Sequence, residues 1–302
     1  MSGSFRGIFS IPQTPFNEQG DLLWDDFERE CDWIVRAGAH GLVWPVMASE
    51  YTVISYLERV QGMKQAVQAV GGRVPVVIGV ADTSTAGAVA LAREAARAGA
   101  DAVIAMPPWA TKMTAHDLIA DYYRAIATAA GLPVVIQNVG PPLGSNLPGA
   151  FVVELCDQIP LVQYLKEEKD PKGQALSDVL ALGSAEVKGV FSGSQCYWLI
   201  SDYQRGACGC MPASRVVDVD VHIWELLEAG HLDEARRVHR DKMVFENILL
   251  GMPARIAGKE VLRRRGVLSC NAARNEGSAR LDVVDLSELE YGMGVVAPYF
   301  RV

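Results

Sequence analysis

The sequence predicts an α/β fold, a closed (β/α)8 TIM barrel with a helical C-terminal extension. Three observations lead there. Eight short apolar, β-branched runs alternate with longer stretches of helical period, the pattern of parallel strands joined by crossover helices. Gly38, Gly71, Gly99, Gly131 and Gly183 each follow a helical stretch, where a left-handed cap favours glycine. The 302 residues, half of them hydrophobic, show no shift of composition along the strand-helix alternation, which suits one closed barrel better than two small domains.

The predicted strands cover residues 7–11, 41–46, 74–80, 102–106, 134–137, 161–166, 187–191 and 207–211. Between them, stretches such as 24–37, 55–70, 85–98 and 114–130 have apolar residues at helical spacing and are long enough for three turns or more. Three helix-to-strand junctions are alike: Ala37-Gly38-Ala39, Ala98-Gly99-Ala100 and Arg205-Gly206-Ala207. Their separations suit two and four repeats of a βα unit of roughly 25–30 residues. After Met211 the alternation stops. Residues 216–229, 232–249 and 254–265 read as successive helices with no strand between them, closed by a last helix at 281–291. The barrel is therefore assigned to 1–212 and the extension of the same domain to 213–302.

Lys plus Arg is 28 and Asp plus Glu is 36, a net charge of −8. Nucleic acid and anionic membranes both attract basic surfaces, so neither is expected as a partner. No apolar run reaches the roughly 18 residues of a membrane span, and Met1–Arg6 open no apolar signal segment. The six cysteines are irregularly scattered, which reads as reduced thiols in a cytoplasmic protein.

Chemistry on such a barrel sits at the carboxyl ends of the strands. Most lysines lie in polar or helical stretches and are expected to be solvated. Lys166 differs: it ends the apolar run of strand six. There its amine either points into the barrel mouth or snorkels outward beside Glu167 and Glu168. In the mouth, low-dielectric walls favour the neutral amine, which can attack a ketone and form an imine. Metal binding is not expected. His40, His116, His222, His231 and His239 form no paired motif, and Cys208 and Cys210, two residues apart and so read as sharing one strand face, have no second pair at zinc spacing. No phosphate-cradling glycine motif follows a strand, so no nucleotide cofactor is indicated. Arg263, Arg264 and Arg265 end a helix and read as a solvated cap.

The residues resemble the N-acetylneuraminate lyase and dihydrodipicolinate synthase superfamily of class I aldolases. The opening Gly7-Ile8-Phe9-Ser10-Ile11-Pro12-Gln13-Thr14-Pro15-Phe16 is similar to its first strand. Val46-Met47-Ala48-Ser49-Glu50 stands at its strand-two loop, Gly71–Val80 at its third strand, and Ala105-Met106-Pro107-Pro108 at its fourth. Tyr164-Leu165-Lys166-Glu167 resembles the strand of its imine lysine. The resemblance implies a Schiff-base lyase with no cofactor beyond the covalent imine, a 2-oxo acid substrate, and a homo-oligomer, dimer or tetramer.

Departures from the family pattern bear on the substrate. Met47-Ala48 replace a tandem threonine pair, and Ser49 keeps one hydroxyl. Gln137 stands where the family has a relay tyrosine; an amide does not titrate near neutral pH and cannot pass a proton as a phenol does. Residues 140–144 contain no arginine, where the synthases bind a second carboxylate. Trp109 corresponds to a tyrosine often found at a subunit contact. A Ser-Glu loop with a strand-five glutamine is similar to the subgroup that dehydrates 2-keto-3-deoxy sugar acids, notably the 2-keto-3-deoxy-L-arabonate dehydratases. The expected reaction is dehydration of a 2-keto-3-deoxy-pentonate to 2-oxoglutarate semialdehyde. A pyruvate-dependent aldolase and a non-catalytic 2-oxo acid binder are the alternatives.

On this reading Lys166 forms the imine, and Gln137 and Ser49 hold the substrate. Glu50 either protonates the departing hydroxyl or binds the loop backbone. Ala48, Gly193, Ser194 and Met211 border the substrate.

Overall fold

A computed structural model describes residues 4–108, 115–140, 144–274 and 276–302. The strands are β1 (Gly7–Ser10), β2 (Gly41–Trp44), β3 (Val76–Gly79), β4 (Ala102–Ala105), β5 (Val134–Val139), β6 (Val162–Glu168), β7 (Gly189–Ser192) and β8 (Gly209–Cys210). They pair in parallel, in chain order, and β8 returns to β1, so the barrel is closed. The crossover helices are α1 (Trp24–Arg36), α2 (Tyr56–Val70), α3 (Thr85–Ala98), α4 (His116–Ala130), α5 (Gly149–Gln158), α6 (Lys172–Ala181) and α7 (Leu199–Arg205). Then come α8 (Val217–Glu228), α9 (Leu232–Leu250), α10 (Ala254–Arg264) and α11 (Val283–Val296).

The helix ends follow local chemistry. Ser55 caps α2 in a reciprocal pair with Glu58, and the Ser84 hydroxyl caps α3 by accepting from the Gly87 N–H. Gly38, Gly71, Gly99, Gly131 and Gly183 all have positive φ, as their places after helices require. Helix α8 lies against β1, and its Val221 meets Gly38 at the end of α1. It thus completes the outer ring, and lies within the stretch 213–302 assigned to the extension from sequence. Helices α9, α10 and α11 pack beyond it.

Strand alternation divides the interior in two. Phe9, Ile11, Val43, Val77, Ile104, Val135, Tyr164, Phe191 and Met211 fill the barrel. Their neighbours Ile8, Leu42, Ile78, Val103, Ile136, Leu165 and Val190 face the helices. Aromatic rings close the barrel floor, with Phe5 stacked on Tyr164 at 4.9 Å and Phe9 edge-on to Phe191 at 5.0 Å. Cys208 joins the interior cluster, whereas Cys210 joins the helix-facing one. The shared face expected for these two thiols is therefore corrected: Cys208 precedes β8 (Gly209–Cys210), so the alternation of strand faces does not pair it with Cys210.

Lys242, Lys259 and the Arg265 side chain, read as solvated, are buried. Lys242 and Lys259 are fully buried in ion pairs with Asp220 and Glu50. Arg265 is buried against Asp218 at 2.6 Å, stacked on Trp33 and Phe300. His239 is half-buried, its ring 3.2 Å from the Cys196 carbonyl. A helical pattern cannot reveal such burial, because the partners come from distant segments. No helix among the described residues is long and apolar enough to cross a membrane.

Candidate active site

The site begins with the pleat of β6. Tyr164 points into the barrel, so Lys166 and Glu168, at steps of two, share that face. Sequence reasoning ends the strand at Lys166; the ladder runs on to Glu168, because β5 also continues and pairs Asn138 with Glu167 and Val139 with Glu168. Gln137 lies directly across from Lys166.

These three side chains meet in the barrel mouth. Lys166 Nζ is 3.2 Å from Glu168 Oε2, and Gln137 Nε2 donates to the same oxygen at 2.8 Å. The lysine side chain is 4% exposed and that of Glu168 16%, so the carboxylate is the more open of the two groups. The other carboxylate oxygen, Oε1, accepts the Ser194 N–H at 3.3 Å. Gly193 lies so close that a Cβ there would stand 2.3 Å from Oε1. Four groups from β5, β6 and the loop after β7, namely Gln137, Lys166, Gly193 and the Ser194 N–H, thus converge on one carboxylate.

That loop is held in an unusual backbone conformation. Ser194, Gln195 and Cys196 have φ of 54°, 56° and 57°. Each such non-glycine residue costs roughly 1 kcal/mol or more, so the turn persists only because its surroundings hold it. Gln195 is tied twice: its side-chain oxygen accepts the Ala213 N–H at 2.9 Å, and its backbone carbonyl accepts from Lys242 Nζ at 2.5 Å.

The strand-two loop is placed differently from expectation. Ala48 contacts the barrel-interior cluster, as does Met211 from the end of β8, so both border the mouth. Ser49 is fully buried, and its hydroxyl donates to the Pro12 carbonyl at 2.9 Å, while Thr14 Oγ1 donates to the Ser49 carbonyl at 2.6 Å. Glu50, in left-handed backbone conformation, turns to α10 and pairs with Lys259 at 2.6 Å. Lys259 also donates to the Ala272 carbonyl and lies over the Phe16 ring. The hydrogen-bonding role assigned to Ser49 and the acid role assigned to Glu50 are therefore corrected to loop anchoring, since each group is already engaged away from the mouth.

On the outer face of β6, Glu167 takes two bonds from Asn138 Nδ2, which also bonds the Leu147 carbonyl. Burial raises the Glu167 carboxyl to about 7, against the Lys169 N–H and Asn138, which hold it down. It braces β5 to β6 and does not face the mouth. Trp109 and residues 141–143, named above for subunit contact and for the missing arginine, lie outside the described residues. Among the described residues no group of three or more His, Cys, Asp or Glu side chains is arranged to hold a metal.

The residue missed from sequence is Glu168. The signal was present in the two-residue step from Lys166, but a Glu-Glu-Lys-Asp run after an apolar strand reads as solvated.

Residues 4–276 match the model of the dihydrodipicolinate synthetase family. The chain belongs to that family. It is accordingly a lyase of the Schiff-base type. It is 28% identical over 272 residues to the L-2-keto-3-deoxyarabonate dehydratase of Azospirillum brasilense, covering 89% of this chain and 88% of that protein. It is likewise 28% identical over 239 residues to the probable 2-dehydro-3-deoxy-D-pentonate aldolase YjhH of Escherichia coli K12, covering 78% of this chain and 79% of the other. The crystal structure of the dihydrodipicolinate synthase from Rhodopseudomonas palustris superposes with a TM-score of 0.87 at 22% identity, over 96% of this chain and 97% of that one, which establishes the shared barrel fold.

Proposed function

We propose that the protein dehydrates a 2-keto-3-deoxy sugar acid, with a 2-keto-3-deoxy-pentonate going to 2-oxoglutarate semialdehyde. The observation that carries this reading is the Glu168 carboxylate 3.2 Å from Lys166 Nζ, with Gln137 on the same oxygen. Lys166 attacks the C2 carbonyl, and loss of water leaves a protonated imine. A base seated beside Nζ reaches C3, the carbon next to the imine carbon. Glu168 removes a C3 proton to give the enamine, whose electron pair expels the C4 hydroxyl. The proton held by Glu168 goes to that hydroxyl, which leaves as water. This leaves an imine conjugated with a C3–C4 double bond; loss of a C5 proton and protonation at C3 move the double bond to C4–C5, giving an enol that tautomerises to the aldehyde, and hydrolysis of the imine frees Lys166. Gln137 and the Ser194 N–H fix the carboxylate, and Ala48, Gly193, Ser194 and Met211 border the substrate. The chemistry requires no metal or cofactor, and a cytoplasmic homo-oligomer acting on carbohydrate-derived acids belongs to the same proposal.

Similarity to the dehydratase supports this reading. A second reading has its own support: the chain is also similar to an aldolase, and Glu168 could take the C4 hydroxyl proton instead and release pyruvate. Gln137 alone does not exclude that route, because Glu168 supplies a base that the missing tyrosine does not. What favours dehydration is the place of the carboxylate, next to C3.

The test incubates the protein with 2-keto-3-deoxy-pentonates and follows both products, the semialdehyde with a semialdehyde dehydrogenase and pyruvate with lactate dehydrogenase. Mostly semialdehyde is expected, and Glu168→Gln is expected to lower its rate by about 10²–10⁴-fold. Mostly pyruvate from the unmutated protein would move the assignment to the aldolase.

A further inference from the structure

The C-terminal helices place two fully buried lysines behind the loops that flank the mouth. Lys259 holds the strand-two loop through Glu50. Lys242, on α9, has a more direct line to the chemistry. Its ammonium group pairs with Asp220 of α8 at 2.5 Å and donates to the Gln195 carbonyl at 2.5 Å. Gln195 is the middle of the left-handed turn Ser194–Cys196, and the Ser194 N–H that ends this chain of contacts lies 3.3 Å from Glu168 Oε1.

We propose that Lys242 is a positioning residue for the acid–base carboxylate, holding the turn after β7 so that the Ser194 N–H fixes Glu168 against Lys166. This rests on the reading of Glu168 as the C3 base. Burial of an ammonium is costly, and Asp220 alone would neutralise it. The second contact, to the backbone carbonyl of a residue in a conformation that L residues disfavour, is the one that reaches the site. Without it the turn can relax toward ordinary backbone angles. Gly193 and the Ser194 N–H, both packed on Glu168, would then move. Lys166 is held separately, by β5 and β7 on either side of β6, so imine formation is left intact. A shift of about 1 Å at a catalytic group can cost on the order of a hundredfold in rate.

Pyruvate separates the two steps. Borohydride trapping of pyruvate reports the imine, and exchange of its methyl protons in D2O, read by NMR, reports the C3 base. The variant is Asp220→Asn with Lys242→Met, which leaves neither partner of the pair charged. Trapping within about twofold of the unmutated protein is expected, with exchange slowed about tenfold or more. An unchanged exchange rate, or trapping and exchange falling together, would overturn the proposal. Glu168→Gln is measured alongside. If it exchanges like the unmutated protein, the C3-base reading fails and this inference falls with it. If Glu168→Gln loses exchange while the double variant keeps it, only the role of Lys242 is refuted. Should the double variant not fold, Asp220→Asn with Lys242→Gln, whose shorter amide cannot reach Gln195, is read in the same way.

Discussion

Lys166 and Glu168 stand two residues apart on β6, so the pleat turns both into the barrel, and the proposed chemistry rests on that step. Borohydride with pyruvate is expected to attach a covalent adduct to Lys166 alone, located by mass spectrometry and abolished by Lys166→Ala. Labelling of a different lysine would contradict the imine assignment. Gly193 gives a second test at this scale. A methyl group there would sit 2.3 Å from Glu168 Oε1, well inside van der Waals contact, and Glu168 is the group that must yield. Gly193→Ala is expected to lower turnover by about a hundredfold with little change in thermal stability, because the displaced group is the proposed base and is partly exposed. Activity close to that of the unmutated protein would show that the carboxylate position is not critical.

Loops after β2 and β7 both depend on the helices that follow the barrel. Glu50 and Lys259 form a pair with both side chains almost fully buried, and the pair ties the first of these loops to α10. Removing one charge leaves the other buried and unpaired, a change that typically costs about 3–5 kcal/mol. Lys259→Met is therefore expected to lower the denaturant midpoint sharply. Glu50→Gln combined with Lys259→Met removes both charges and is expected to recover much of the loss. If the double variant is no more stable than the single one, the pair is not what anchors the loop.

Across the whole molecule, the interior holds carboxyl groups that folding protonates. Glu30 is fully buried, accepting from the Gln13 N–H at 2.8 Å and the Ser214 hydroxyl at 2.6 Å. Burial raises its carboxyl from 4.5 to about 8, against the opposing pull of those bonds and of Lys259. Between these two values the folded chain binds a proton that the unfolded chain has lost, so this group makes stability fall as pH rises, by up to about 1.4 kcal/mol per pH unit. Glu30→Gln, which keeps an acceptor for both donors and has no charge to bury, is expected to gain stability relative to the unmutated protein at pH 8 more than at pH 5. Urea unfolding at the two pH values checks this; an equal difference at both would show that Glu30 is ionised in the folded protein.

The order of strands and helices, the glycine-closed helix ends and the place of Lys166 were legible in the sequence, because each depends on local periodicity, turn chemistry and the alternation of strand faces. Ala48, Gly193, Ser194 and Met211 were set beside the substrate by the family resemblance and not by local pattern. The partners of polar side chains were decided only by the tertiary structure. Ser49 turns to Pro12, Glu50 to Lys259, Lys242 to Asp220 and Gln195, and Glu168 to Lys166 and Gln137. Apart from the step of two along β6 that brings Glu168 to Lys166, each of these is a contact between segments, and for the buried charges a cost of desolvation met by a partner that no local pattern names. A run of acidic and basic residues reads the same whether water or a second charge surrounds it; the closed barrel and the helices packed behind it determine which.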